Sequence, residues 1–227
     1  QGDWSSDVCS SDLMSGAGAA LRVTHFLDFL ANIATMIDAE DLCADGRLVL
    51  TAGGSAFYDM VVEKFRGLNL KRPKSILTRS GCYLTHDSAM YEAHFDAIAE
   101  RSAMLAELGR PEPALEVWAY VQSRPEPTRV LVTMGKRDVS YDPHLPMPRL
   151  WYRPGASPRR PQKLAGHNCV NLNDQHGYLD VPADSPLQVG DMVGFGISHP
   201  CLTFDKWQMI AFVDADYNVV DAIRTYF

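Results

Sequence analysis

The feature that most limits the fold of this chain is a change of texture at Pro111 and Pro113. Before it, apolar runs alternate between the two-residue period of strands and the 3.6-residue period of helices. After it come only short strand-like runs separated by turns rich in Pro, Gly, Asp and Asn. Thr24 to Ile37 predicts an amphipathic helix with Thr24 as N-cap and Phe26, Phe29, Leu30, Ile33 and Ile37 on one face. Arg47–Thr51 predicts a strand, Ala56–Arg66 a helix, Ile76–Leu84 a strand and Ser88–Leu108 a long helix capped around His86-Asp87-Ser88. That alternation implies parallel strands in an open sheet or barrel.

Beyond Pro113 the expected strands are Leu115–Val121, Arg129–Met134, Cys169–Leu172, Gly177–Val181, Met192–Phe195, Gln208–Asp214 and Val219–Tyr226, together an all-β module. Tyr141 to Lys163, with six prolines, reads as a loop. The expected class is α/β plus all-β, with domains at 14–110 and 111–227. Residues 1–13 (QGDWSSDVCSSDL) are polar, lack periodicity and resemble translated read-through of a sequencing adapter, so they are set aside from fold reasoning. A (β/α)₈ barrel needs about 250 residues. Two strand–helix units therefore predict either a small open module or the last units of a barrel.

Composition excludes several classes. The 227 residues, 46% hydrophobic, suffice for a substantial core, and the net charge of −7 argues against a nucleic-acid backbone as partner. No apolar run approaches the ~20 residues of a membrane span. Cys9, Cys43, Cys82, Cys169 and Cys201 form no disulfide framework, so a reducing cytoplasm is the expected location.

Three places carry candidate chemistry. Gly53-Gly54-Ser55 lies between a strand and a helix start, where unpaired amides and the helix dipole suit an anion such as phosphate. The plain alternative is a tight turn with Ser55 as N-cap. Gly81-Cys82-Tyr83 ends the next parallel strand, putting a second glycine site at the same carboxyl edge, where ligands bind; its alternative is a bulge with simple packing. His199-x-Cys201, read as extended backbone, projects an imidazole and a thiol to one side, a donor pair suited to Zn²⁺. Alone, such a pair is also a common accident of spacing. His176, in Asp174-Gln175-His176-Gly177, could be an acid/base, a third metal ligand or a surface histidine.

Taken in order, Thr51-Ala52-Gly53-Gly54-Ser55, the run from Arg79 to Asp87, Leu115 to Ser123, Gly135 to Ser140, Asn173 to Gly177 and Ser198 to Thr203 resemble the D-serine dehydratase / D-threonine aldolase-like family, most closely its bacterial amino acid deaminases. The resemblance covers about Leu21 to Phe227. It implies an alanine-racemase-like barrel carrying pyridoxal 5'-phosphate, followed by a β-domain carrying zinc. Gly53, Gly54, Ser55, Gly81, Cys82 and Tyr83 would cup the cofactor phosphate, and His199 and Cys201 would bind Zn²⁺. His176 is the candidate catalytic acid/base. The implied reaction is α,β-elimination from a β-hydroxy D-amino acid such as D-serine, giving a keto acid and ammonia. Cys201 at the second ligand position favours a dehydratase over the aldolase, whose harder metal prefers a carboxylate.

The family's Schiff-base lysine precedes the segment covered here, and Lys64, Lys71 and Lys74 stand in the wrong places to replace it. The chain alone is therefore expected to be inactive, and a partial barrel to be prone to aggregation. A homodimer is implied by the resemblance. The rival readings are a metal-dependent D-threonine aldolase and a non-catalytic metal-binding β-module.

Overall fold

A computed structural model describes residues 17–43, 46–157 and 160–226; the adapter-like residues 1–13 lie outside them. The chain forms two compact units. One takes the chain up to Leu84 together with Ala93–Arg110; the other takes Thr85–Glu92 with Pro111–Phe227. The class is α/β plus all-β, as the sequence predicts.

The first unit opens with helix α1 (Ala17–Ala39), then strand β1 (Leu48–Gly53), α2 (Tyr58–Arg66) and β2 (Lys74–Arg79). The helix begins earlier than the Thr24 cap suggests. Thr24 sits inside it, its hydroxyl bonded back to the Ala20 carbonyl at 2.9 Å, a partner that suits threonine within a helix as well as at a cap. β1 and β2 pair in parallel, Leu48 opposite Lys74 through Gly53 opposite Arg79. Leu48, Leu50 and Ala52 are buried together with Val61 and Phe65 of α2 and Val23, Leu27, Ala31 and Ala34 of α1. β2 stops at Arg79, short of the predicted Leu84, because Cys82–Thr85 turns into a short helix, α3. The predicted long helix is interrupted at Ser102, whose extended backbone separates α4 (Met90–Arg101) from α5 (Ala103–Leu108). Arg101 ends α4 by gripping the Asp59 carboxylate with two bonds of 2.9 and 3.0 Å and the Ala56 carbonyl at 3.0 Å.

The second unit is built on a seven-stranded antiparallel sheet of β3 (Glu116–Glu126), β4 (Arg129–Val132), β5 (Met147–Tyr152), β6 (Gln162–Lys163), β7 (Asn168–Leu172), β8 (Gly177–Asp180) and β9 (Met192–Gly196). Their spatial order is β6-β5-β9-β3-β4-β8-β7. Alternate residues point inward, as the strand period demands: Val117, Ala119, Val121, Val130, Val132, Leu179, Val193 and Phe195 form the core with Met134, Val139, Leu187 and Ile197. Each such valine, leucine, isoleucine, methionine or phenylalanine side chain, removed from water, contributes about 1.5–3 kcal/mol. β5 corrects the reading of 141–163 as a loop. It pairs with β9 from Met147 opposite Gly196 to Tyr152 opposite Met192, with a register shift between Pro148 and Leu150. Such a shift is where a sheet accommodates a residue lacking an N–H. A short helix α6 (Pro200–Phe204) and a two-stranded hairpin, β10 (Met209–Val213) with β11 (Val219–Arg224), complete the unit. No helix among the described residues is long and apolar enough to cross a membrane.

Candidate functional site

The glycine turns belong to the first unit, and His176, His199 and Cys201 to the second. Within the first unit the turns are neighbours, as the parallel register requires. The Ser80 hydroxyl donates to the Gly54 carbonyl at 3.5 Å. Gly54 has φ +100°, a backbone that a side chain would strain. Ser55 is not the N-cap: Phe57 N–H closes a turn on Gly54 C=O at 3.2 Å, and α2 starts only after it, with Phe57 at the cap position. The first-turn amides of α2 have no partner within the helix, so an anion can be met there. Open space lies where a Cβ would stand at Gly81. The Tyr83 N–H is engaged by Ser80 C=O at 3.0 Å, so the exposed ring is what Tyr83 offers. That ring meets Tyr58 edge to face at 5.3 Å. Burial, then the nearby Tyr83, raises the Tyr58 hydroxyl above the usual phenol range. Cys82 opens α3, and its side chain lies outside the described residues.

This turn pair fits the phosphate of a cofactor, but the lysines do not fit a covalent anchor. Lys74 is the first residue of β2 and Arg79 the last, so the two ends lie about 16 Å apart at ~3.3 Å per residue. The Lys74 ammonium is bound to the Arg66 carbonyl at 2.8 Å and to the Leu68 carbonyl. Lys71 donates to the Ala39 carbonyl at 2.8 Å, and Lys64 pairs with Asp28.

In the second unit the His199–Cys201 pair is formed differently from the strand reading. His199 is extended (φ −141°), but Pro200 opens α6 immediately after it, so Cys201 stands in the first helical turn. Pro suits that position, where no N–H partner is needed. The segment is pinned from both sides. Ser140 Oγ accepts the His199 N–H at 3.2 Å, while Thr203 Oγ1 accepts the Ser140 N–H at 3.1 Å. Ser198 Oγ donates to the His144 carbonyl at 2.8 Å. The His199 ring sets Nδ1 2.6 Å from Asp142 Oδ2, and Cys201 bonds the same ring. The Cys201 sulfur first, and Asp142 next, push the imidazole pKa up to about 9 against the opposing effect of burial. Cys201 is exposed and outside any disulfide.

An imidazole held by a carboxylate, with a cysteine sulfur beside it, is the donor set of a zinc ligand pair whose ring orientation is fixed from behind. The residues present therefore fit two positions of such a site. Among the described residues no group of three or more His, Cys, Asp or Glu could hold a metal ion.

His176 is half-buried in the turn between β7 and β8, its carbonyl accepting the Asn173 N–H at 2.8 Å. That turn is docked on Gly135–Arg137: Lys136 N–H meets Asn173 C=O at 2.9 Å and Arg137 N–H meets Asp174 C=O at 3.1 Å. Gly135–Asp142 thus touches the His176 turn at one end and the His199 segment at the other. Sequence reasoning missed Asp142. The available signal was the polar series Asp138, Ser140 and Asp142 just before a proline.

The comparisons fit this geometry. Parallel strand–helix units with an antiparallel β-unit place the chain in an alanine-racemase-like architecture. An alanine-racemase-like protein from Idiomarina loihiensis superposes with TM-score 0.53 at 14% identity, over 95% of this chain and 53% of that one. Residues 114–213 match the family described as "Putative serine dehydratase domain", a match confined to the second half of the chain and in line with the resemblance read from the sequence. D-threo-3-hydroxyaspartate dehydratase from Delftia sp. HT23 gives TM-score 0.61 at 16% identity, covering 97% of this chain and 55% of that one. A dehydratase of that name has also been solved with a histidine replaced by alanine, and with a cysteine two positions later replaced by alanine in a metal-free form. D-threonine aldolase from Filomicrobium marinum gives TM-score 0.53 at 20% identity, over 75% of this chain and 38% of that one. The chain thus spans little more than half the length of these solved proteins, or less. No curated protein sequence matches it.

Proposed function

We propose that the chain is part of a pyridoxal-phosphate- and zinc-dependent dehydratase, a carbon–oxygen lyase that converts a β-hydroxy D-amino acid such as D-serine into a keto acid and ammonia. The observation that carries this reading is the His199–Cys201 pair with Asp142 fixed on the imidazole. The spacing of two matches the histidine and cysteine replaced in the solved dehydratase variants.

In this reading the amides around Gly53, Gly54, Ser55 and Gly81 bind the cofactor phosphate, with Cys82 and the Tyr83 ring at its edge. Pyridoxal phosphate supplies an electron sink for the pair left at Cα when its proton departs, and zinc a Lewis acid for the leaving hydroxyl. His199 and Cys201 hold the ion, Asp142 holds the imidazole plane, and Ser140 holds the backbone beneath it. His176, on its docked turn, carries a proton to or from the reacting groups. We read the protein as cytoplasmic and, when whole, as a homodimer. None of Lys64, Lys71 and Lys74 reaches the glycine turns, so this chain alone is expected not to turn over.

Two measurements test the proposal. Metal analysis after zinc loading should give bound zinc in the wild type and its loss in His199→Ala and Cys201→Ala; zinc retained in both variants removes the site. Pyruvate release from D-serine with both cofactors added should stay at background, and ordinary enzymatic turnover would overturn the expected inactivity. Formation of glycine and acetaldehyde from D-threonine by a longer form carrying the lysine would favour the aldolase instead.

A further inference from the structure

The first unit holds an open trough between α1 and the leading part of β1. It encloses about 340 Å³, near the lower limit of ligand sites, and is lined by Leu30, Ile33 and Ile37 of α1, Phe65 of α2, residues 48–51 of β1, and the two cationic side chains Arg47 and Arg72. Each long wall measures about 10 Å, counted as Leu30 to Ile37 at ~1.5 Å per helical residue or as Leu48 to Thr51 at ~3.3 Å per strand residue. Among the described residues, neither Gly53-Gly54-Ser55 nor Gly81 belongs to this lining, so the trough is separate from the phosphate turns.

One cation of the lining is incompletely bonded. Arg72 Nη1 is buried and, among the described residues, has no hydrogen-bond partner. Asp38 Oδ1 stands 3.6 Å from it, beyond bonding reach, and that carboxylate already accepts the Lys71 and Arg72 N–H groups at 2.5 and 3.2 Å. Nη2 meets the Cys43 carbonyl and the exposed Asp41, each at 3.3 Å. Arg47 spends its Nη1 on the Lys74 carbonyl at 3.2 Å and Ser75 Oγ at 3.3 Å. A buried guanidinium nitrogen without an acceptor is unfavourable. An apolar trough with such a group in its wall calls for an anionic acceptor joined to an apolar chain.

We propose that this trough binds a medium-chain aliphatic carboxylate, with its chain against Leu30, Ile33, Ile37 and Phe65 and its head on Arg72 Nη1. The length of the walls matches an octyl chain. Among the described residues β1 pairs only with β2, so its other edge is also open to an added strand. A strand there would satisfy main-chain groups of β1 but would bring Arg72 no anion; charge complementarity therefore favours the carboxylate. The site stands on the first unit alone and does not depend on the metal reading.

The test is calorimetric titration of the full chain with octanoate, butanoate and octanol, with circular dichroism as the check on folding. Octanoate should bind at a single site per chain. Butanoate should bind at least about tenfold more weakly, because its shorter chain buries fewer methylenes, and octanol at least about tenfold more weakly, because it offers Arg72 no charge. Arg72→Gln should bring octanoate down to the level of octanol. Ile33→Glu, at a position 37% exposed on α1, should abolish octanoate binding by setting a like charge in the trough. Equal affinity for octanoate and octanol, or octanoate binding undiminished in folded Ile33→Glu, overturns the proposal. Failure of the wild type to bind octanoate also overturns it; self-association lost in Ile33→Glu would then assign the trough to contact between copies of the chain.

Discussion

At Gly135 a side chain would collide with backbone. A Cβ built there stands 2.4 Å from the Asp174 carbonyl oxygen and 2.5 Å from the Asn173 oxygen. These are backbone atoms, which cannot swing aside as a side chain would. Gly135→Ala must therefore push the 135–137 segment off the 173–176 turn by about 1 Å to reach ordinary contact distance. Two backbone bonds, at 2.9 and 3.1 Å, stretch or break, at about 0.5–1.5 kcal/mol each. Residual crowding adds about 1–3 kcal/mol. Because both segments are surface loops that can part, the lower half of the sum is expected, about 2–4 kcal/mol. That is about 8–15 °C in melting temperature for a unit of this size. Trp207 gives a local readout, since its indole N–H bonds the Asp138 carbonyl at 2.7 Å in the same loop; its emission should shift to the red in the variant. Gly67→Ala is the control. Its φ is −70° and its nearest neighbour stands 3.6 Å from the added carbon, so it should be neutral or slightly stabilising. A Gly135→Ala melt within about 2 °C of wild type, well below that scale, with unchanged Trp207 emission, would refute the docking argument.

Three further outcomes are expected. Asp142→Asn should keep the fold but free the His199 ring, lowering zinc affinity about 10–100-fold by competition titration. Asp87 is almost fully buried and accepts the N–H groups of Ala89, Met90, Tyr91 and Glu92 at 2.9–3.3 Å; Asp87→Ala should cost about 1–2 kcal/mol in urea unfolding. His167 bonds Ser185 Oγ at 2.7 Å, and burial lowers its pKa. The folded state therefore prefers the neutral ring, and stability present above about pH 6.5, the unfolded value, is lost as pH falls; urea midpoints across that range should fall in the wild type and be flatter in His167→Gln.

The second unit's strands were legible because half-buried antiparallel strands write their geometry as alternation: Val117, Ala119, Val121 and Val130, Val132 are the inward residues of β3 and β4. β5 was hidden by composition. Pro148 is buried inside the strand, tolerated at a register shift that only the partner strand β9 reveals. The donor pair was visible as a spacing, but its backbone was not, since Pro200 converts the expected strand into a helical first turn and brings the groups together by a different route. Asp142 was illegible for a more general reason. It lies 57 residues from His199, and its role exists only once the chain has closed on itself.

The loop from Gly135 to Asp142 has a practical consequence for anyone re-engineering this protein. Because one short stretch braces the turn carrying His176 and seats the imidazole of His199, these parts cannot be varied as independent modules. A library that diversifies one of them with the others fixed will mostly sample broken frameworks, whereas exchanging Gly135–Asp142 together with Ser198–Lys206 and Asn173–Gly177 moves the whole bracket intact.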